Sequence, residues 1–234
     1  MKTWLLVAAE RREFEGLLNR FRAESGQGRR LDWPGVRFAW EIEWKEDRWL
    51  LVANGPGPAL VNQALGTRAL APVLATRRQL DGIVSTGFCG ALDPALRIGE
   101  IVVAGDIPIE SDRRFVHGRI HTSNRVAVTQ EAKRKLRVQT GAVAVEMEAD
   151  AVRHKAAEWG IPFGCVKVVS DTAASDLPLD FNKYRSAAGD FSRTRIALGA
   201  MARPFSALPR LMALDRDCRR AAGALGDFFA NCRF

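Results

Sequence analysis

Four short polar features could do chemistry in this 234-residue chain. They are Glu10 with Glu13, the run Gly87-Phe88-Cys89-Gly90, the run Glu146-Met147-Glu148, and the pair Ser170-Asp171. Each follows an apolar stretch of strand length, at residues 3–9, 81–86, 142–145 and 163–169. In a parallel sheet, ligands bind beyond the C-terminal ends of the strands. The four features would therefore converge on one pocket. Carboxylates gathered there, with no metal-ligand set beside them, suggest proton transfer to and from a substrate.

Competing constellations are missing from the sequence. No Gly-x-Gly-x-x-Gly follows the first strand, no phosphate-binding loop ends in Lys-Ser/Thr, and there is no Gly-x-Ser-x-Gly elbow. Asn54-Gly55-Pro56-Gly57 is glycine-rich, but Pro56 and Pro58 each remove an amide donor that an anion cradle would use. The four cysteines, at 89, 165, 218 and 232, form no Cys-x-x-Cys pair. None has a histidine at ligand spacing, which argues against a zinc site and a disulfide framework.

The elements that would position these groups alternate between strand and helix. Residues 10–22 carry Phe14, Leu17, Leu18 and Phe21 at helical spacing. Two strands are expected at 36–42 and 49–54, with Ser25 to Gly28 as the loop before them. Further helices are expected at 59–70, at 129–138 with Thr129 as N-cap, and from Glu148 to about Trp159. Residues 163–169 form an apolar strand interrupted only by Lys167, and 108–120 reads as irregular. Two helices, at 193–203 and 207–229, close the chain. Near-continuous apolar strands between helices predict an α/β fold, a mixed but mostly parallel sheet covered on both faces. The expected organisation is one domain over 1–190 and a basic helical extension over 191–234 packed on it.

Composition fits that reading. With 47% hydrophobic and 26% charged residues the chain can build a core, and no uncharged apolar run approaches the ~20 residues of a membrane span. The apolar start ends at once in Glu10-Arg11-Arg12-Glu13, which suits a buried first strand and a cytoplasmic protein rather than a secretion signal. The net charge is +8, and residues 181–234 hold ten Lys/Arg against four Asp/Glu. That excess reads first as a solvated helical face, with nucleic acid or an anionic membrane surface as the alternatives.

Several segments together resemble the purine nucleoside phosphorylase and nucleosidase superfamily. They are Val145-Glu146-Met147-Glu148-Ala149-Asp150, Ile161-Pro162-Phe163, Val168-Val169-Ser170-Asp171, Ser85-Thr86-Gly87-Phe88-Cys89-Gly90-Ala91-Leu92, and Val7-Ala8-Ala9-Glu10-Arg11-Arg12-Glu13. The branch most resembled is the 5′-methylthioadenosine/S-adenosylhomocysteine nucleosidase group. Futalosine hydrolases and hopanoid-associated phosphorylase-like proteins are related branches. The short middle and Leu177-Pro178-Leu179-Asp180-Phe181 look like the latter. The resemblance covers about residues 1–175 and implies a three-layer fold.

It also implies roles. Asp171 would protonate N7 of a leaving purine, which needs a proton on the carboxyl when it acts. Glu13 would activate water, and Glu148 would hold the ribose 2′- and 3′-hydroxyls beside Met147. Phe88 and Cys89 would lie near base and ribose, with Ser170 adjoining Asp171. Ile120 and His121 would sit where the family brackets the base. Glu146 reads better as an acid satisfying a helix N-terminus. Phosphorolytic relatives place Arg and Ser around the glycine turn, where this chain has Ser85 and Phe88, so water is the favoured nucleophile. A phosphorylase, or a silent binding relative using the basic C-terminal helices, remains the alternative. The resemblance further implies a small-molecule nucleoside substrate, no cofactor, no metal, no nucleic-acid partner, and a homo-oligomer, with a dimer favoured.

Overall fold

The computed structural model describes residues 1–24, 26, 28–66, 80–186, 191–201, 205 and 207–234. The expected loop residues 25 and 27, the end of the helix expected to reach Leu70, and Arg203 with Pro204 lie outside the described residues.

The first strand, β1 (Thr3–Ala8), shows why the fold has two faces. Trp4, Leu6 and Ala8 enter one core cluster, and Leu5 and Val7 enter another. A strand buried on both sides must be apolar along its length, and from Trp4 to Ala8 this one is. β4 (Asp47–Ala53) alternates in the same way, with Trp49, Leu51 and Ala53 on one face and Leu50 and Val52 on the other.

The central sheet runs in the order β2 (Arg29–Arg30), β3 (Phe38–Trp44), β4, β1, β5 (Gly82–Ala91), β11 (Phe163–Asp171), β6 (Ile101–Gly105), β8 (Phe115–His117). β4, β1, β5 and β11 are mutually parallel, while β3 and β6 run antiparallel to their neighbours β4 and β11. β10 (Ala144–Glu146) pairs antiparallel with the far end of β5 and parallel with β9 (Ile120–Thr122). A small second sheet joins β7 (Glu110–Ser111) to β12 (Cys232–Arg233). This is the mixed, mostly parallel sheet flanked by helices that the sequence predicts.

Helix α1 (Glu15–Ala23) and the long α6 (Ala207–Ala230) cover one face. Phe14, Leu17 and Phe21 meet Ala221, Leu225, Phe228 and Phe229 there. The two helices touch backbone to backbone: a Cβ on Gly16 would lie 1.9 Å from the Ala222 carbonyl oxygen. On the other face lie α2 (Pro58–Ala64) and α4 (Ala149–Trp159), through Val61, Ala64, Val152 and Ala156. Helix α3 (Gln130–Thr140) starts at Thr129, whose Oγ1 accepts the Ala132 N–H at 3.1 Å. Helix α5 (Arg193–Met201) precedes α6.

Three expectations need correction. Gly87 to Gly90 is not a turn after a strand; β5 runs on through it to Ala91, because β11 and β10 supply pairing partners for the extra residues. Residues 108–120 hold β7 and β8 rather than irregular chain. The first helix opens as a 3-10 turn, Arg11–Phe14, before α1.

Candidate active site

Because β4, β1, β5 and β11 are parallel, their C-terminal ends share one edge of the sheet. From that edge emerge Asn54 to Gly57, Glu10 to Glu13, Gly87 to Gly90, and Ser170-Asp171.

Glu13 is buried and held at both oxygens. Its Oε2 accepts the Glu10 N–H and its Oε1 the Phe88 N–H, each at 2.8 Å. Glu10 accepts in return from the Glu13 N–H, a capping box that fixes the 3-10 turn. Glu10 therefore positions Glu13, and its carboxylate pairs with Arg12 at 2.9 Å. Gly87 makes the approach possible: its φ is +111°, and a Cβ there would stand 2.6 Å from Glu13 Oε1. Burial raises the Glu13 pKa, against the Lys167 ammonium and the two N–H donors, which lower it.

Glu146 and Glu148 leave β10 on either side of the half-buried Met147. Glu146 accepts the N–H groups of Glu148 at 2.8 Å and Ala149 at 2.9 Å, so it satisfies the start of α4. It also accepts from Thr122 Oγ1 at 2.6 Å and pairs with Lys167 Nζ at 3.0 Å. Burial works to raise its pKa, but Lys167 and these donors leave it below the ordinary carboxylate value. Glu148 receives the Gly57 N–H at 2.7 Å and has Lys167 Nζ only at 3.8 Å. Burial pushes its pKa up to about 8, helped by Glu146 and Glu13 and opposed by Lys167 and Gly57.

Lys167 is the cation of this cluster. It is fully buried on β11 and donates to the Thr86 carbonyl at 2.8 Å. Burial pulls its pKa down, but Glu146 and Glu148 outweigh that and raise it. One ammonium thus faces Glu13, Glu146 and Glu148. Glu146 is its nearest partner of the three by charge and hydrogen bond, and Glu148 is the group left to hold a proton.

Asp171 sits at the tip of β11, half-buried, with Gly90 close enough that a Cβ there would be 3.1 Å from its Oδ1. Ser170 Oγ lies 3.0 Å from its Oδ2. Its Oδ1 accepts from Lys133, a lysine of α3 that is itself buried. Lys133 Nζ also donates to the Thr172 carbonyl at 2.8 Å and the Ser175 carbonyl at 3.0 Å. Its three protons have three acceptors. The expected carboxylic acid therefore rests as one half of an ion pair.

The other expected residues divide. Phe88 gives its N–H to Glu13, while its half-buried ring packs toward α6 with the Arg12 guanidinium 5.5 Å above it. The Cys89 side chain is packed with Ala91, Leu96 and Val169, and burial raises its thiol pKa well above the ordinary value. Its contact with the site is through its carbonyl, which accepts from Ser170 Oγ at 3.2 Å. Ile120 packs against two core clusters, and His121 is paired with Val145 on β10. Thr122, the next residue, is the one on β9 that reaches Glu146.

Lys133, Gly57 and Thr122 are site residues that sequence reasoning missed. Lys167 was visible as the lone charge in an apolar strand, and a buried lysine there demands carboxylates nearby. Lys133 carries no such signal, because Arg134, Lys135 and Arg137 surround it in the same helix.

A cavity of about 470 Å³ opens beside the same strand ends, lined by Glu10, Arg30, Arg37, Trp40, Asn54 and Gly55 among others. None of Glu13, Glu148 and Asp171 lines it.

Comparison with known proteins points one way. The model of the phosphorylase superfamily matches residues 107–198. A 5′-methylthioadenosine/S-adenosylhomocysteine nucleosidase of Mycobacterium bovis is 28% identical over 196 residues, covering 58% of this chain and 74% of that protein. The same enzyme of Helicobacter pylori, solved with an inhibitor, superposes with a TM-score of 0.68 at 15% identity, over 97% of this chain and 96% of that one. The futalosine hydrolase of Helicobacter pylori gives 0.67 at 16% identity, over 97% and 95%. Over residues 107–198 the chain matches the phosphorylase superfamily, and its fold is that of the two Helicobacter pylori structures.

Proposed function

We propose that the protein is a purine nucleosidase that hydrolyses the N-glycosidic bond of a 5′-modified nucleoside, of the methylthioadenosine or adenosylhomocysteine kind. The observation that carries this reading is the grip on Glu13. A buried carboxylate held by two backbone N–H groups, with burial raising its pKa, is a base oriented and tuned for one proton.

In this reading Glu13 takes a proton from water as the oxygen attacks C1′ of the sugar. The C1′–N9 bond breaks and its electron pair leaves with the purine. Asp171 gives N7 the proton that neutralises the leaving base. Asp171 acts as the carboxylic acid, with Oδ1 held by Lys133 and Oδ2 beside Ser170 Oγ. Glu148, with Met147 beside it, holds the ribose hydroxyls. A proton on one oxygen of Glu148 lets it donate as well as accept, which suits a pair of hydroxyls.

Water is favoured over phosphate by three features. The Phe88 N–H at the glycine run is already given to Glu13, and Ser85 is fully buried. Arg12, whose guanidinium lies 5.5 Å from the Phe88 ring, is paired with Glu10. The test is base release from methylthioadenosine, adenosylhomocysteine, futalosine, adenosine and inosine, with and without phosphate. Free base and free sugar without phosphate support the proposal. Release only with phosphate makes the protein a phosphorylase, and release from none of them removes the reading.

A further inference from the structure

The C-terminal helices carry a surface that the proposed chemistry does not use. Residues 191–214 contain no Asp or Glu and four arginines, at 193, 195, 203 and 210. The same stretch holds five large apolar side chains turned outward: Leu198, Met201, Phe205, Leu208 and Met212. Phe205 is 97% exposed. Elsewhere among the described residues, Met1, Val116 and Val138 are the exposed large apolar side chains, and they are scattered.

The inward face is already accounted for. Ile196, Ala207 and Leu211 pack with Leu179 and Tyr184 in a cluster of their own. The outward five are therefore surplus to the packing that fastens the segment. Arg195 donates to the Lys183 carbonyl at 3.4 Å and Arg210 to the Asp176 carbonyl at 2.9 Å, and neither meets a carboxylate among the described residues. One turn further along α6, Arg216 and Arg220 are exposed too.

We propose that this face, over residues 193–214, docks on an anionic lipid bilayer. Large apolar side chains set beside Arg195 and Arg210, which meet no carboxylate among the described residues, are what an interfacial segment needs: carbon to bury below the headgroups and cations to meet lipid phosphates. No described helix is long and apolar enough to cross a membrane, so the attachment is to the surface. A second copy of the chain is the poorer occupant, because a two-fold interface here would set the arginines of one copy against those of the other. Nucleic acid would meet the arginines but leave the five apolar side chains without a use.

The full chain is sedimented with vesicles of phosphatidylcholine alone and with vesicles containing about a third phosphatidylglycerol, where at least about tenfold more protein should pellet. The variant F205E with M212E, and separately R195E with R210E, should each abolish the difference. Both pairs are exposed, so an unchanged melting temperature checks that they fold. Added salt should weaken binding to the anionic vesicles. The proposal is overturned by equal pelleting with both vesicles, by none with either, or by full retention in both variants. It is also overturned if the face proves to hold a dimer that F205E splits while vesicles capture neither form.

Discussion

Two buried lysines stand near the tip of the same strand, and they face opposite problems. Lys167, on β11, has more carboxylates around it than it can neutralise: Glu146 at 3.0 Å, Glu148 at 3.8 Å, and Glu13 within its field. Lys133, reaching over from α3, has one carboxylate and two carbonyls for its three protons. The first arrangement is short of positive charge and so leaves a group that titrates near neutrality. The second is saturated and so fixes a corner of the chain. The site thus combines a region that can change its proton count with one that holds residues 171–175 in place.

Removing the base tests the titrating side most directly. E13Q should lower base release by about 10²–10⁴-fold, with the melting temperature little changed. Steady-state kinetics on the best substrate of the panel would show it. K167M removes the one ammonium that three buried carboxylates share and should cost about 3–5 kcal/mol in denaturant unfolding. The loss should shrink at low pH, as the carboxylates take up protons. An equal loss at every pH would mean that Lys167 serves packing alone.

K133M should cost less, about 1–3 kcal/mol, because it leaves two carbonyls and the largely buried Asp171 carboxylate without their donor. It should also weaken substrate binding more than it slows the bound complex, since residues 171–175 lose their anchor. An intact KM would contradict the anchoring role.

The raised pKa of Glu148 has a sign that can be measured. Between pH 4.5 and about 8 the folded protein keeps a proton there that the unfolded chain has lost. Stability should therefore fall as pH rises through that window, by at most about 1.4 kcal/mol per pH unit from this group. E148Q should flatten the decline. The smallest effect is expected from T129A, which removes the N-cap of the helix that carries Lys133 and should cost about 1 kcal/mol.

How much of this was legible in the sequence depended on whether a local pattern reported it. Strands buried on both faces declared themselves as nearly unbroken apolar runs, so β1, β4 and β11 were visible, with the carboxylates that close β11 and follow β1. Thr129 was readable as a cap because its chemistry acts three residues away. Gly57 and Lys133 were not readable, since their partners lie 91 and 38 residues distant along the chain. Gly87 to Gly90 misled for a related reason. Glycines suggest a turn, but here two neighbouring strands hold them extended. The glycine at 87 serves the approach of Glu13 instead.

The contact between Gly16 and Ala222 bears on how the site is assembled in time. The turn bearing Glu13 runs directly into α1, and α1 has its covering only when α6 lies against it, close enough that neither helix tolerates a side chain at Gly16 or Gly226. During synthesis, Glu13 emerges long before α6. A nascent chain can pair β1, β4, β5 and β11 while the helix that follows Glu13 still lacks its covering. Completion of the last helix is then the event that turns a folded sheet into a site with its base in place.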